Sequence, residues 1–189
     1  MTVKHDSWWL KNQYVVQPFV KTQINKDEEG NPLISYGLSS FGYDLRLDYE
    51  FTASKHDRDI DPKNTRNEDW HNPYLPISQK HNYIWLPSRS FILAQTLEYI
   101  KMPDDCIGIC TSKSTYARCG IILSTSPIEP SWEGHITLEI FNANSVAVRL
   151  YAGEGILQLV LISGVKPIVN YHSRGGKYQG QQHVTLPKV

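Results

Sequence analysis

Residues 134–142 read Gly134-His135-Ile136-Thr137-Leu138-Glu139-Ile140-Phe141-Asn142. β-branched and aromatic side chains recur there in period 2, as in a strand. Glu139 interrupts the run where a strand buried on both faces calls for another aliphatic residue. Burying a bare carboxylate is costly, so the group must be paired, hydrogen-bonded or neutralised. A buried carboxyl with a raised pKa is also what general acid–base catalysis needs near neutral pH. The strand alone leaves a structural ion pair and a catalytic group both open.

Similar strand signals surround it at 83–86, 90–98, 107–111, 121–124, 147–151 and 155–162, with shorter ones at 33–35 and 43–47. Turn residues separate them at short intervals, which predicts an all-β sandwich or barrel with a few short helices. One helix is expected over 8–13, capped by Asp6-Ser7. Another is expected over 114–119, capped by Ser112 or Ser114 and ended by Gly120. Residues 56–76 are polar and without period, a long loop excursion. Residues 173–189 are Gly- and Gln-rich and read as an arm or lid, not a packed element. The length of 189 residues suits one domain over 1–189.

Nineteen basic residues balance nineteen acidic ones, which argues against a nucleic-acid polymer as partner but not against a single nucleotide. No apolar run reaches the roughly 18 residues of a membrane span, and the N-terminus has no signal-peptide h-region. The expectation is a cytoplasmic protein. Cys106, Cys110 and Cys119 offer neither a disulfide framework nor a CxxC pair, so they are expected as buried small hydrophobes. The histidines are scattered and the zinc-deaminase signature H-x-E…P-C-x-x-C is missing, so no zinc site is expected.

Three further segments can carry chemistry. Ser112-Lys113-Ser114-Thr115-Tyr116-Ala117-Arg118 puts hydroxyls and a lysine at a helix start, either an anion cradle or a capped helix with a solvated basic face. Glu129-Pro130-Ser131-Trp132-Glu133-Gly134 is a tight turn whose Trp132 either walls a flat ligand or packs in a hairpin. Arg174-Gly175-Gly176-Lys177-Tyr178-Gln179-Gly180-Gln181 combines flexible glycines with cationic and amide donors, suiting a lid over phosphates or a disordered tail.

In chain order, Gly42-Tyr43-Asp44-Leu45-Arg46-Leu47, Lys113 to Arg118, Glu129 to Glu139, Gly155-Ile156-Leu157-Gln158-Leu159 and Lys177 to Gln181 together resemble the dCTP deaminase family of the trimeric dUTPase-like superfamily. The resemblance implies a jelly-roll-like, dUTPase-type β-barrel in a homotrimer with three active sites shared between neighbours. It implies hydrolytic deamination of dCTP, bound with Mg²⁺, to dUTP and ammonia, and inhibition by dTTP.

By position, the resemblance makes Glu139 the general base and proton shuttle, with Ser114 holding water or a phosphate and Arg118 near Glu139. Lys113, Thr115, Gln158, Tyr171, Lys177 and Gln181 are the implied triphosphate contacts. Glu129 is implied to accept from the 3′-hydroxyl, and Trp132 to crowd the 2′ position. Base recognition is expected from backbone groups of 125–128 and of Ile136-Thr137. The pyrophosphatase branch has Asp in an I-D-x-G-aromatic turn where this chain has Glu129-Pro130-Ser131-Trp132. A bifunctional deaminase–diphosphatase and a non-catalytic nucleotide-binding trimer remain the alternatives.

Overall fold

The computed structural model describes residues 1–54, 59–71 and 82–189. The N-terminal part holds β1 (Thr2–Val3), α1 (Asp6–Lys11), a 3-10 turn (Gln13–Val15), β2 (Val16–Gln17), β3 (Gln23–Lys26), β4 (Pro32–Leu38) and β5 (Tyr43–Ser54). A 3-10 turn (Asn67–Asp69), β6 (Trp70–His71), β7 (Tyr83–Leu86), β8 (Phe91–Lys101) and β9 (Cys106–Ser112) follow. Then come α2 (Ser114–Arg118), β10 (Ile121–Ser124), β11 (Glu133–Asn142), β12 (Val148–Tyr151) and β13 (Gly155–Ser163). The fold is mostly β with two short helices among the described residues, as the strand spacing predicts. Of the excursion expected over 56–76, positions 56–58 and 72–76 lie outside the described residues. Its described part supplies β6, which pairs with the end of β5.

The main sheet runs β1-β13-β5-β8-β11-β10, with β9 on the other edge of β13. β5 joins its two halves. Its first residues pair with β13, and from Leu47 it pairs with β8, across a register irregularity between Leu47 and Phe51. An irregularity of this kind bends a strand and lets a sheet curl. Leu45, Leu47 and Phe51 of β5, Ile92 and Ile100 of β8, Leu138 and Ile140 of β11, and Leu157, Leu159 and Leu161 of β13 fill the core.

β11 is buried on one face only. Ile136, Leu138 and Ile140 point into the core, while His135, Thr137, Glu139 and Phe141 line the partly exposed face. Glu139 therefore does not displace a core aliphatic, contrary to the two-sided strand expected from the sequence. The helix starts also differ from expectation. α1 begins at Asp6 after His5, and α2 begins at Ser114 after Lys113, neither with a side-chain cap. At α2 the N-cap position is Lys113: its N–H donates to the Ile156 carbonyl at 3.0 Å, tying the helix start to the sheet, and its carbonyl accepts the first helical bonds from Tyr116 and Ala117. Gly120, at φ +71°, closes α2 as expected. Cys106 is buried, Cys110 is partly buried and Cys119 is exposed. Burial as a shared role thus fails at Cys119, which ends a helix on the surface.

An ion pair sits where β5 changes partners. Arg46 Nε donates to Glu98 Oε1 at 2.6 Å, and the Arg46 backbone N–H donates to Oε2 at 2.8 Å. Glu98 is fully buried. Burial pushes its carboxyl up, and Arg46 pulls it back. The guanidinium also lies over the Tyr36 ring, 4.9 Å from its centroid. Removing one partner of such a pair strands the other charge in the core. Arg46→Met is expected to cost about 3–5 kcal/mol at neutral pH. The unpaired Glu98 is held at a still higher pKa, so the deficit must shrink as pH falls and the carboxyl becomes neutral. Urea denaturation at neutral and acidic pH checks both points; a pH-independent deficit contradicts this account.

Candidate active site

The exposed face of β11 opens into a cavity of about 660 Å³, within the range of small-molecule sites. Ile136, Thr137 and Glu139 line it from β11, and Phe91 and Leu93 from β8. The pairing of Glu139 with Leu93 and of Phe141 with Phe91 fixes this arrangement. Residues 125–129 and Trp132 line another side, and Trp70 of β6 also borders the cavity. The rest of the lining comes from the tail, through Tyr171, Arg174, Gly176, Lys177, Tyr178, Gln181, Thr185 and Pro187.

The tail is a packed element, not the free arm that its composition suggests. The Gly180 N–H donates to the Glu133 carbonyl at 2.8 Å, and the His135 N–H to the Gln181 carbonyl at 2.9 Å. Gln181 Nε2 returns a bond to the His135 carbonyl at 3.0 Å, and the Thr185 N–H reaches Thr137 Oγ1 at 3.3 Å. Gly134 makes this approach possible. At φ +146° it takes a conformation rare for L side chains, and a Cβ there would stand 2.8 Å from the Gln181 nitrogen. Composition hides this, because the tail is held by backbone bonds to a strand distant in sequence.

Trp132 joins both readings offered for it. It is 5% exposed, lines the cavity, and donates its indole N–H to the Tyr178 carbonyl at 2.8 Å. Its turn is strained at Ser131, a non-glycine residue at φ +64°. Glu129 lines the cavity and pairs with Arg174 of the tail. Lys177 is hydrogen-bonded to the Lys188 carbonyl, which folds the end of the tail back on itself.

Glu139 carries the cavity's distinctive electrostatics. Burial pushes its carboxyl above the usual range, partly offset by its own backbone N–H. Among the described residues it has no cationic partner within the chain. Arg118 in particular does not line its cavity.

Arg118 belongs to a second group with Lys113, Ser114, Thr115 and Gln158. Tyr116 anchors α2, being 3% exposed and accepting the Tyr151 N–H on its hydroxyl at 2.8 Å. Ser114, Thr115 and Arg118 are left exposed. Gln158 lies opposite Asp44 and Thr111 and donates to Ser39 Oγ at 3.0 Å. Lys113 spends its ammonium on Asp44 Oδ2 at 2.6 Å and Ser35 Oγ at 2.9 Å. Within one chain, the expected site residues thus form two groups. One is the cavity set of Glu129, Trp132, Thr137, Glu139, Tyr171, Lys177 and Gln181; the other is the α2 set.

Sequence reasoning missed Trp70, Phe91, Leu93, Thr185 and Pro187 as lining residues, and had Arg174 only as part of the lid-like segment, with no role of its own. Phe91 and Leu93 share the alternation of β8, but only the register against β11 selects them. Trp70 carried no signal. Among the described residues, no three His, Cys, Asp or Glu side chains group as a metal cage.

The raised Glu139 pKa makes a stability prediction. Below the ordinary carboxylate value of 4.5 the group is neutral in folded and unfolded chains and costs nothing. As pH rises through the raised folded value, the ionised carboxylate opposes folding. Glu139→Gln is therefore expected to be more stable than the parent at neutral pH, with the gap closing on acidification. Melting curves across that range test this, and a gap independent of pH contradicts it.

A family model described as dCTP deaminase-like matches residues 10–164. The dCTP deaminase of Azotobacter vinelandii (strain DJ / ATCC BAA-1303) is 43% identical over 195 residues, covering 100% of both chains. That of Helicobacter pylori (strain Shi470) is 45% identical over 194 residues, covering 100% of this chain and 99% of the relative. Among solved structures, the crystal structure of 2′-deoxycytidine 5′-triphosphate deaminase from Agrobacterium tumefaciens superposes with a TM-score of 0.57 at 15% identity. That likeness concerns the fold alone and covers 86% of this chain and 48% of the solved one, so this chain spans about half its length. With a matching family model and full-length relatives above 40% identity, the chain belongs to the dCTP deaminase-like family.

Proposed function

We propose that this protein hydrolyses the cytosine amino group of dCTP, giving dUTP and ammonia and so feeding dUMP and dTTP synthesis. Glu139 carries the reading. It is a carboxyl of raised pKa, on a rigid strand, inside a cavity of about 660 Å³. The full-length relatives named dCTP deaminase support it. Glu139 takes a proton from water attacking C4, delivers it to N3, and assists departure of ammonia. Proton transfer of this kind contributes about 10²–10⁴-fold. The chain has no zinc-deaminase signature, so the proton transfers fall to Glu139, and positioning and electrostatics supply the rest.

Mg²⁺ carried with the substrate's triphosphate would offset part of its charge and would need few protein ligands. Glu129 accepts from the 3′-hydroxyl and Trp132 closes the 2′ position to ribose. Backbone groups of 125–128 and Ile136-Thr137 read the base. Tyr171, Lys177 and Gln181 bind the triphosphate from the tail. The α2 set completes the site from a neighbouring copy in a homotrimer. Ser114 holds water or a phosphate, Arg118 faces Glu139, and Lys113, Thr115 and Gln158 lie toward the triphosphate. The exposure of Ser114, Thr115 and Arg118, and their separation from the cavity of their own chain, support this sharing. We further read residues 1–189 as one cytoplasmic domain, inhibited by dTTP.

Purified protein given dCTP and Mg²⁺ is expected to release ammonia and dUTP, and Glu139→Gln to lose turnover while still binding dCTP. No ammonia, or full turnover by the variant, overturns the reading; dUMP with pyrophosphate as the direct products marks the bifunctional alternative. Site sharing has its own test. Glu139→Gln and Arg118→Ala chains, each inactive alone, are co-refolded in equal amounts. Random pairing in a closed ring is expected to restore about a quarter of parental activity, whereas sites built within one chain restore none.

A further inference from the structure

Two strained or tethered segments meet at the mouth of the cavity. The turn from Ile128 to Trp132 carries Glu129 and holds Ser131 at φ +64°. The tail carries Arg174, whose Nη2 donates to Glu129 Oε1. Both ends of this contact are fixed. The Tyr171 N–H donates to the Pro130 carbonyl at 3.2 Å, and the Arg174 N–H to the Asn170 carbonyl at 3.2 Å. The Arg174 guanidinium lies 5.0 Å from the Tyr171 ring centroid. The Tyr171 hydroxyl accepts the Tyr178 N–H at 3.1 Å, and Gln179 Nε2 reaches the Ser131 carbonyl at 3.3 Å. A guanidinium stacked on an aromatic ring is a stiff donor, unlike a lysine in the same place. Among the described residues Glu129 Oε2 has no partner, so Arg174 engages one carboxylate oxygen and leaves the other for a ligand hydroxyl.

We propose that Arg174 is a positioning residue, which holds the Glu129 carboxylate from the tail and so couples recognition of the sugar hydroxyl to tail closure. This rests on the reading of Glu129 as acceptor for the 3′-hydroxyl. The longer Glu side chain, in place of the Asp of the related turn, carries the carboxylate one methylene farther, toward the tail. The coupling predicts a defect confined to substrates that have the hydroxyl. If Arg174 instead contacted the phosphates, its loss would weaken every triphosphate alike.

The test is calorimetric binding of dCTP and 2′,3′-dideoxy-CTP, each with Mg²⁺, to the parent, Arg174→Gln and Arg174→Lys. The parent is expected to prefer dCTP. Arg174→Gln should lose about 3- to 10-fold in dCTP affinity, the worth of one hydrogen bond, and keep its affinity for the dideoxy nucleotide. Arg174→Lys should recover part of the preference. Equal weakening of both nucleotides, or no change in either, overturns the proposal, as does a parent that does not distinguish them. Ammonia release is followed in parallel. A parent that shows the binding preference but releases no ammonia refutes deamination and leaves the coupling standing.

Discussion

The Arg46–Glu98 pair marks the one place where the sheet has to be a single object. β5 leaves β13 and joins β8 there, and a fully buried carboxylate is tolerable only because Arg46 meets it with both its side chain and its backbone N–H. Both groups of candidate site residues lie on one side or the other of that switch. The cavity stands on β8 and β11. The α2 set stands beside β13 and β5, where Asp44 grips Lys113. A carboxylate that needs a cation is a more demanding spacer than an aliphatic side chain, because a small displacement leaves a charge without a partner in a medium of low polarity. The two groups thus lie on opposite sides of an interaction that belongs to neither of them.

The legible part of this architecture was local. The alternation over 134–142 showed a strand, the turn residues showed many short strands, and Gly120 showed where α2 stops. These are properties of neighbouring residues and of backbone preference. The illegible part was relational. That Glu139 faces a cavity and not the core depends on β8 lying beside β11. That the tail is packed depends on Gly134 admitting the Gln181 backbone. That α2 starts where it does depends on Ile156 receiving the Lys113 N–H. In each case the deciding partner lies far away in sequence.

The candidate site follows the same division. Glu139 and Trp132 stood out because a charge in a strand and a tryptophan in a tight turn are locally conspicuous, whereas Glu129 was picked out only by the family resemblance. Arg174 was visible as a cation ahead of two glycines, but its partner could be found only once Glu129 and the tail were placed together. Lys113 shows the reverse. A lysine beside two hydroxyls left an anion cradle and a solvated basic face both open, and its ammonium instead meets Asp44 and Ser35 of its own chain.

The bond from the Trp132 indole N–H to the Tyr178 carbonyl also makes the molecule an optical instrument. Indole emission depends on whether its N–H and ring are dry and bonded or wet, and lifting the tail would take Trp132 from the first state to the second. The chain has five tryptophans, and among the described residues Trp8, Trp9, Trp70 and Trp85 make no hydrogen bond to the tail. The spectral change on tail movement would therefore come from Trp132, with Trp70 on the same cavity as the second contributor. Any lifting of the tail would then be timed in unlabelled protein, by light alone.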